Sequence, residues 1–385
     1  MDSIYFDYNA TTPVPDEVRF VMEPYFSLHF ANPSSMHHLG RIPNQAMREA
    51  REHIARLLNA KNDSEIIFTS GGTESNNLAI AAALQLKSGR KKIITSAVEH
   101  SSILRVCRHW AKLGYDLVEL GVDKHGQLDM GQLQQVIDDQ TALVTLMHAN
   151  NETGVIFPIE AIAKMVREKG ALFFVDAVQT VGKISVDVQF IDADFVSISG
   201  HKFYGPKGAG ALWVRSGLKI PSLILGGSQE RGRRAGTENV PGIIGMGKAA
   251  EIVHCALGQE SLRLKTLRDY FEQEMTRLIE NVSINGSKDM RIPNTSNLKF
   301  SDIDAEALLI ALDQKGICVS MGSACMSGAN EPSHVLKAMR MTDDEARSSL
   351  RFSFGRFTNQ QNVDSLIQET ISSVSQLRGF HTAKS

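Results

Sequence analysis

The chain has 385 residues, of which 42% are hydrophobic, 22% are charged and 6% are aromatic. This length predicts two or three domains at about 150 residues each, and the composition excludes a disordered, collagen-like or coiled-coil protein. The 41 basic and 43 acidic side chains give a net charge of −2, so the charge balance does not favour nucleic acid as a partner.

The cysteines and the apolar runs indicate neither a disulfide scaffold nor a membrane segment. Cys107, Cys255, Cys318 and Cys325 form no C-x-x-C pair, so they predict neither a zinc site nor a thioredoxin-like motif. The N-terminal residues lack the apolar segment of a secretory signal, and apolar runs such as 78–84 are far too short to span a membrane. We therefore expect a reducing compartment, the cytoplasm, in which the thiols stay free.

Short apolar segments alternate with segments of helical periodicity through the first two thirds of the chain. Because the strand-like segments are continuously apolar and alternate with helices, they predict a largely parallel sheet covered on both faces, in an α/β domain that ends near residue 254. The predicted strands are 65–69, 92–96, 142–147, 171–175, 195–199 and 210–214.

The last third of the chain predicts a smaller α+β domain that begins near residue 255. The predicted helices are 261–280, 305–314 and 360–377, and the predicted short strands are 295–300, 317–319 and 350–354. In an open parallel sheet, ligands bind beyond the carboxyl ends of the strands. The residues that follow each predicted strand are therefore the candidates for a functional site.

A glycine turn follows the first predicted strand. Gly71, Gly72 and Thr73 precede an apolar helix, and such a turn presents backbone N–H groups that can bind a phosphate. A tight turn capped by the threonine is the alternative. The segment has neither the P-loop pattern nor the G-x-G-x-x-G pattern, which argues against a nicotinamide cofactor.

Two ionisable residues follow later strands. Asp176 follows 171–175 and Lys202 follows 195–199 by three residues. Asp176 can pair with a protonated ring nitrogen or cap a turn, and Lys202 can form a Schiff base when desolvated or remain a solvated turn lysine. A phosphate-binding turn, a carboxylate and a lysine at neighbouring strand ends together favour pyridoxal 5′-phosphate as the cofactor.

Seven motifs extend this pattern along nearly the whole chain. They are 98–101 (VEHS), 149–154 (ANNETG), 176–179 (DAVQ), 199–202 (SGHK), 233–239 (RRAGTEN), 322–325 (GSAC) and 331–335 (EPSHV). Together they resemble the cysteine desulfurases of the NifS/IscS branch, class V aminotransferase-like enzymes that depend on pyridoxal phosphate. The resemblance implies fold type I, with a large domain (14–254) built on a mostly parallel seven-stranded sheet and a smaller α+β domain (1–13 and 255–385).

The resemblance also implies roles for the matching residues. Lys202 is similar to the lysine that binds the cofactor aldehyde, Asp176 to the partner of the ring nitrogen, and Gln179 to the donor to the ring hydroxyl. His100 is similar to the histidine that stacks on the ring and moves protons. The residues implied to hold the cofactor phosphate are Gly72, Thr73, Ser199, His201 and, from a partner subunit in a homodimer, Thr237. Those implied to hold the substrate carboxylate are Asn151, which also lies among the cofactor-binding residues, and Arg351.

Cys325 separates a desulfurase from other enzymes with this cofactor. Its small neighbours suit a moving loop, and the resemblance implies that its thiolate attacks the sulfur of L-cysteine, leaving L-alanine and a persulfide. The implied sulfur acceptor is an iron–sulfur scaffold protein or a protein of tRNA or cofactor thiolation, and Cys325 could transiently ligate such a cluster. No resident metal, direct nucleic-acid contact or membrane contact is expected. Cys107, Cys255 and Cys318 are interpreted as structural thiols.

Two features depart from the family pattern, and two alternatives remain. Met321 stands where the family often has serine, and the sequence ends at Ser385, before the tail of housekeeping relatives, which favours a NifS-like or dedicated enzyme. An aminotransferase, a selenocysteine lyase or a β-lyase would share Asp176 and Lys202 but needs no loop thiol. A non-catalytic sulfur carrier would lack the lysine or the aspartate.

Overall fold

The computed structural model describes residues 3–322 and 332–382. The strands are β1 (Ile4–Tyr5), β2 (Ile66–Thr69), β3 (Lys92–Ser96), β4 (Asp116–Leu120), β5 (Thr141–Met147), β6 (Leu172–Asp176), β7 (Phe195–Ser199), β8 (Gly210–Val214), β9 (Val282–Ile284), β10 (Thr295–Phe300), β11 (Ile317–Cys318) and β12 (Ser349–Ser353). The helices are α1 (Asp16–Met22), α2 (Pro24–Ser27), α3 (His38–Leu57), α4 (Gly72–Leu86), α5 (Ser101–Lys112), α6 (Met130–Val136), α7 (Ile159–Glu168), α8 (Val188–Ile191), α9 (Val240–Leu278), α10 (Ala305–Gln314), α11 (His334–Ala338), α12 (Asp343–Arg347) and α13 (Gln360–Thr382). Short 3₁₀ helices lie at Asp63–Glu65, Gly200–Lys202 and Gln229–Gly232.

Strands β2 to β8 form one seven-stranded sheet in the order β2-β8-β7-β6-β5-β3-β4. β8 runs antiparallel to both of its neighbours, whereas the other neighbouring strands are parallel. The prediction of an α/β fold with a mostly parallel sheet is therefore confirmed. The carboxyl ends of β2, β5, β6 and β7 and the start of β8 meet at one edge of this sheet.

The central strands are buried on both faces. Every residue of β5, β6, β7 and β8 is buried, and successive side chains enter opposite cores. In β6, Phe173 and Val175 pack into one core, whereas Leu172 and Phe174 pack into the other. The continuous apolar runs in the sequence arise from this double burial.

A second unit packs around its own aromatic core. Its antiparallel sheet has the order β12-β10-β9, and the N-terminal β1 pairs in parallel with β11. The Phe271 and Phe352 rings lie 4.8 Å apart between centroids, and Phe6, which follows β1, is buried in the same core. Both the N-terminal segment and the C-terminal part of the chain thus belong to this unit, and the N-terminal segment continues from it to the edge of the large sheet.

Helix α9 joins the two cores. Its first half packs on α3 so closely that a Cβ on Gly247 would lie 2.5 Å from the Ala50 Cα, and its second half contributes Phe271 to the aromatic core. The expected domain boundary between residues 254 and 255 falls inside this helix. α9 has the length and hydropathy of a membrane-spanning segment, but 56% of its apolar window is buried inside the protein, as is common for a core helix.

Candidate active site

The glycine turn lies between β2 and α4, against the start of β8. Gly71 has a φ of 155° and caps α4, and a Cβ on Gly210 would lie 2.5 Å from the Gly71 Cα. A Cβ on Gly72 would lie 3.0 Å from Val178 Cγ2. The backbones at Gly71 and Gly210 and the Val178 side chain therefore meet where side chains on the glycines would collide. This contact lies at the first turn of a fifteen-residue helix whose leading N–H groups lack helical acceptors. This is a cradle of suitable chemistry for a phosphate.

Glu74 braces the same turn. Its carboxylate accepts from the Ser70 amide at 2.8 Å and from Arg234 Nε at 2.7 Å, so it ties the turn to the segment that carries Thr237. Thr237 is exposed. The predicted Thr237 thus lies three residues beyond Arg234, at the surface of this chain, and no sequence pattern indicates the contact between Glu74 and Arg234.

Asp176 ends β6 as a buried carboxylate. Its Oδ2 accepts from Asn76 Nδ2 at 2.9 Å and its Oδ1 accepts from the Val178 amide at 3.0 Å. Burial raises the pKa of the Asp176 carboxyl, against the effect of the Val178 hydrogen bond and of nearby His100. A cation placed beside it would restore the charged form, which is what a protonated ring nitrogen does.

His100 lies beside Asp176 and caps α5. Its Nδ1 accepts from the Ser102 amide at 3.2 Å, so the neutral ring carries its proton on Nε2. Burial lowers the pKa of His100, an effect that Asp176 opposes and Lys202 reinforces. The Asn76 amide group donates to both Ser102 Oγ and Asp176 and so connects the histidine to the carboxylate.

Lys202 ends the short helix that follows β7. Its Nζ donates to the carbonyl oxygens of Asn9 and Ala10 at 2.7 and 2.9 Å, so the N-terminal segment lies directly against it. Burial, together with the charges of Lys202 and Lys207, lowers the pKa of His201 to about 4. His201 is therefore neutral near pH 7.

Ser199 and Thr73 complete the predicted phosphate set. Ser199 is buried, with its Oγ 3.8 Å from the position of a Cβ on Gly71, whereas the Thr73 side chain is exposed. The predicted turn, carboxylate and lysine thus come together at one sheet edge, as the order of the strands requires.

Arg351 and Asn151 also meet, although 200 residues separate them. Arg351 lies on β12 with its side chain 3% exposed, its Nη1 donates to the Asn151 carbonyl oxygen at 3.0 Å, and its Nη2 lies 2.6 Å from Asp7 Oδ1. The Arg351 Nε is buried without a partner among the described residues. A buried guanidinium with an unused N–H is suited to bind a carboxylate. Sequence reasoning assigned no role to Asp7.

Cys325 lies outside the described residues. The residues before and after that gap lie next to the site: a Cβ on Gly322 would lie 2.9 Å from Glu152 Oε2, and Ser333 Oγ donates to the same oxygen at 2.5 Å. Glu152 follows Asn151 in sequence and is buried. Met321 packs against the aromatic core.

The other cysteines differ from one another. Cys107 is buried and Cys318 is partly buried, and burial raises the pKa of both thiols. The interpretation of Cys255 as a buried structural thiol is wrong, because this residue is exposed on α9. Its apolar neighbours Ile252 and Val253 pack into the core of the large sheet instead.

Glu99 is a buried carboxyl beside the site whose titration predicts a pH effect. Its Oε1 accepts from Ser96 Oγ and the Met147 amide, and its Oε2 has no partner among the described residues. Burial raises the pKa of Glu99 to about 8 from 4.5. Between these two pKa values, Glu99 holds a proton in the folded protein that it has lost in the unfolded chain. The contribution of Glu99 to the free energy of unfolding therefore falls by about 1.4 kcal/mol per pH unit as the pH rises through this range.

We expect Glu99→Gln to flatten the fall in unfolding free energy between about pH 5 and pH 8, because glutamine cannot titrate. Denaturant unfolding at several pH values measures this slope. Glu168→Gln, which changes an exposed carboxylate, should leave the slope unchanged. A Glu99→Gln slope equal to that of the natural protein would contradict the prediction.

This chain is similar to known proteins over nearly its whole length. The model of the aminotransferase class-V family matches residues 4–366. The cysteine desulfurase of Trichormus azollae is 48% identical over 384 residues, which cover 100% of this chain and 96% of that protein. Every predicted site residue from Gly72 to Arg351 lies within the matched ranges.

Two solved structures share the fold. One, described as a NifS-like protein, has a TM-score of 0.91 and 35% identity and covers 97% of this chain and 100% of its own. Another, described as SspA in complex with cysteine, has a TM-score of 0.82 and 36% identity and covers 93% of this chain and 100% of its own. The likeness therefore includes both cores and the sheet edge between them.

Proposed function

This chain belongs to the aminotransferase class-V family and is a pyridoxal-phosphate-dependent cysteine desulfurase, and we propose that it passes the sulfur of L-cysteine through Cys325 to an acceptor protein. The observation that carries this proposal is the arrangement of the Gly72 turn, Asp176 and Lys202 at one sheet edge, beside the buried Arg351. A phosphate cradle, a buried carboxyl and a primary amine are the three groups that this cofactor requires.

The residues at the sheet edge fit the cofactor. The backbone at Gly72 and Thr73, with Ser199 and His201, would hold its phosphate, Asp176 its ring nitrogen and Lys202 its aldehyde. Bound there, pyridoxal phosphate supplies an electron sink for negative charge on the substrate's α-carbon. Arg351, with the Asn151 side chain, would hold the substrate carboxylate, and Lys202 Nζ would take and return the α-proton.

The sulfur-transfer step balances without an outside oxidant. The Cys325 thiolate forms an S–S bond to the substrate sulfur while the bond between that sulfur and the β-carbon breaks, and the β-carbon takes up a proton. L-Cysteine and one thiol thus become L-alanine and one persulfide. His100, neutral and carrying its proton on Nε2, is the group placed to move protons in this step.

The acceptor, the oligomeric state and the compartment complete the proposal. We infer a homodimer in which Thr237 serves the partner's phosphate site, supported by the exposure of Thr237 and of apolar side chains such as Phe26, Phe30 and Leu225. An iron–sulfur scaffold or another sulfur-acceptor protein would take the persulfide. A reducing cytoplasm suits a reaction that needs Cys325 as a thiolate.

We expect Cys325→Ala to lower alanine formation from L-cysteine by at least ~100-fold while the visible absorbance of the bound cofactor persists. Cys255→Ala removes an exposed thiol and should leave the rate unchanged. Activity of Cys325→Ala that equals the natural protein's towards L-cysteine would support a lyase or an aminotransferase instead. Loss towards cysteine but not selenocysteine would favour a selenocysteine lyase.

A further inference from the structure

Lys183 is a buried lysine that the reaction described above does not use. It lies in the turn that follows β6, next to Gly182, whose φ is 78°. A Cβ on Gly182 would lie 2.8 Å from Phe203 Cβ, so the turn packs against Phe203, the residue that follows Lys202. Within residues 3–322 and 332–382, no carboxylate forms an ion pair with Lys183. A lysine buried in this way calls for a specific set of polar partners.

Its partners are two side-chain amide oxygens. Lys183 Nζ donates to Gln179 Oε1 at 2.6 Å and to Asn9 Oδ1 at 3.1 Å. Burial lowers the pKa of Lys183 well below its ordinary value, and the nearby cations Lys202 and Arg351 add to this effect. Either protonation state of the amine retains the two N–H groups that these contacts need.

The side-chain amides of Gln179 and Asn9 can each adopt only one orientation, because the nitrogen of each amide faces a backbone carbonyl oxygen. Gln179 Nε2 donates to the Asn9 carbonyl oxygen at 3.0 Å, and a carbonyl can only accept. Asn9 Nδ2 likewise donates to the Asn151 carbonyl oxygen at 3.1 Å, which turns Asn9 Oδ1 towards Lys183. Flipping either amide would place oxygen against oxygen. Asn9 Oδ1 also accepts from Asn294 Nδ2 at 3.1 Å, so Asn9 is held by several partners. The Gln179 amide oxygen, in contrast, has Lys183 as its one partner among the described residues.

The same network reaches the cofactor lysine. The Asn9 carbonyl oxygen that accepts from Gln179 also accepts from Lys202 Nζ at 2.7 Å. Gln179 Nε2 has a second N–H, and no acceptor for it is found among the described residues. Gln179 is therefore held with one N–H committed and one available to a ligand.

We propose that Lys183 is a positioning residue for the desulfurase reaction, which holds the amide of Gln179 in one orientation beside Asn9 and so presents a Gln179 N–H to pyridoxal phosphate. This inference rests on the proposed function for the identity of the cofactor. An N–H donor at the ring hydroxyl stabilises the deprotonated form of that oxygen. The adjacent nitrogen, which is Lys202 Nζ bound at the cofactor aldehyde, then holds its proton less tightly.

The test is a pH titration of the visible absorbance of the holoenzyme. In Lys183→Met, the Gln179 amide oxygen loses its Lys183 partner, so the Gln179 N–H is no longer held towards the ring hydroxyl. Weaker donation to that hydroxyl favours retention of the cofactor's proton, and the midpoint should rise by about 1 pH unit. Lys183→Leu is made in parallel, because an apolar residue of similar volume often replaces a buried charged group without loss of fold. Lys248→Met, which removes a partly exposed lysine paired with Glu251, is the matched control and should not move the midpoint.

A double variant separates positioning from an independent effect. If Lys183 acts through Gln179, Lys183→Met combined with Gln179→Leu should shift the midpoint no further than Gln179→Leu alone. Additive shifts, or a midpoint in both Lys183 variants equal to that of Lys248→Met, would overturn the proposal.

The titration contains no cysteine, so its outcome is independent of sulfur transfer. A protein that shows the predicted rise but forms no alanine would retain the Lys183 assignment and lose the proposed function. Alanine formation together with an unchanged midpoint in the Lys183 variants would retain the proposed function and rule out the Lys183 assignment.

Discussion

Replacement of Lys202 by alanine is expected to lower the rate of alanine formation from L-cysteine by at least ~1,000-fold, because one amine serves both as the attachment point of the cofactor and as the base for the α-proton. Its Nζ lies against the Asn9 and Ala10 carbonyl oxygens, and truncation to a methyl group removes the amine without disturbing β7. Steady-state alanine formation by the cofactor-saturated protein measures the effect.

Lys207 provides the matched control for this variant. It lies five residues further on in the same glycine-rich segment and is exposed, so Lys207→Ala should retain most of the activity. A Lys202→Ala protein that keeps more than about a tenth of the natural rate would contradict the role of Lys202 as catalytic base.

Asp176→Asn is expected to lower kcat by ~100-fold or more, because the asparagine cannot stabilise a protonated ring nitrogen. The fold should be retained, since burial already disfavours the charge of Asp176 and asparagine has nearly the same shape. The decisive readout is kcat together with the thermal unfolding temperature of the same preparation.

Asp194→Asn is the matched control for Asp176→Asn. Asp194 is also a buried carboxylate next to a strand of the large sheet, but it precedes β7, and its Oδ2 accepts from the Phe173 amide at 2.9 Å. It also pairs with Arg167 and Arg215. Asp194→Asn should therefore reduce stability and leave kcat nearly unchanged. An equal loss of kcat in both variants would mean that Asp176 acts only through the fold.

The sequence predicted the strands of the large sheet to within a residue or two because both of their faces are buried. β5 was predicted at 142–147 and occupies Thr141–Met147. β4 was missed because it is an edge strand, with Asp116 exposed and Glu119 partly buried, so it lacks the apolar run. The long α9 was recognised only in its second half, since the first half is rich in glycine where it packs on α3.

The site was predictable where a residue follows a strand, because the order of parallel strands brings such residues to one edge. Asp176 and Lys202 were found in this way. Asn9 and Lys183 were not found, because the contacts of Asn9 run to Lys183 and Lys202, 174 and 193 residues away. No local pattern indicates a hydrogen bond across such a separation, and only the packing of the N-terminal segment against the sheet edge creates it.

The proposed mechanism requires that the sulfur of L-cysteine moves to Cys325, which a single turnover on the purified protein can show. One equivalent of L-cysteine is added, the alanine formed is quantified, and the mass of the peptide that contains Cys325 is measured by mass spectrometry after alkylation. We predict one alanine per active site and one added sulfur on Cys325. Alanine without sulfur on Cys325 would contradict the assigned nucleophile, and no alanine from protein with bound cofactor would contradict the desulfurase itself.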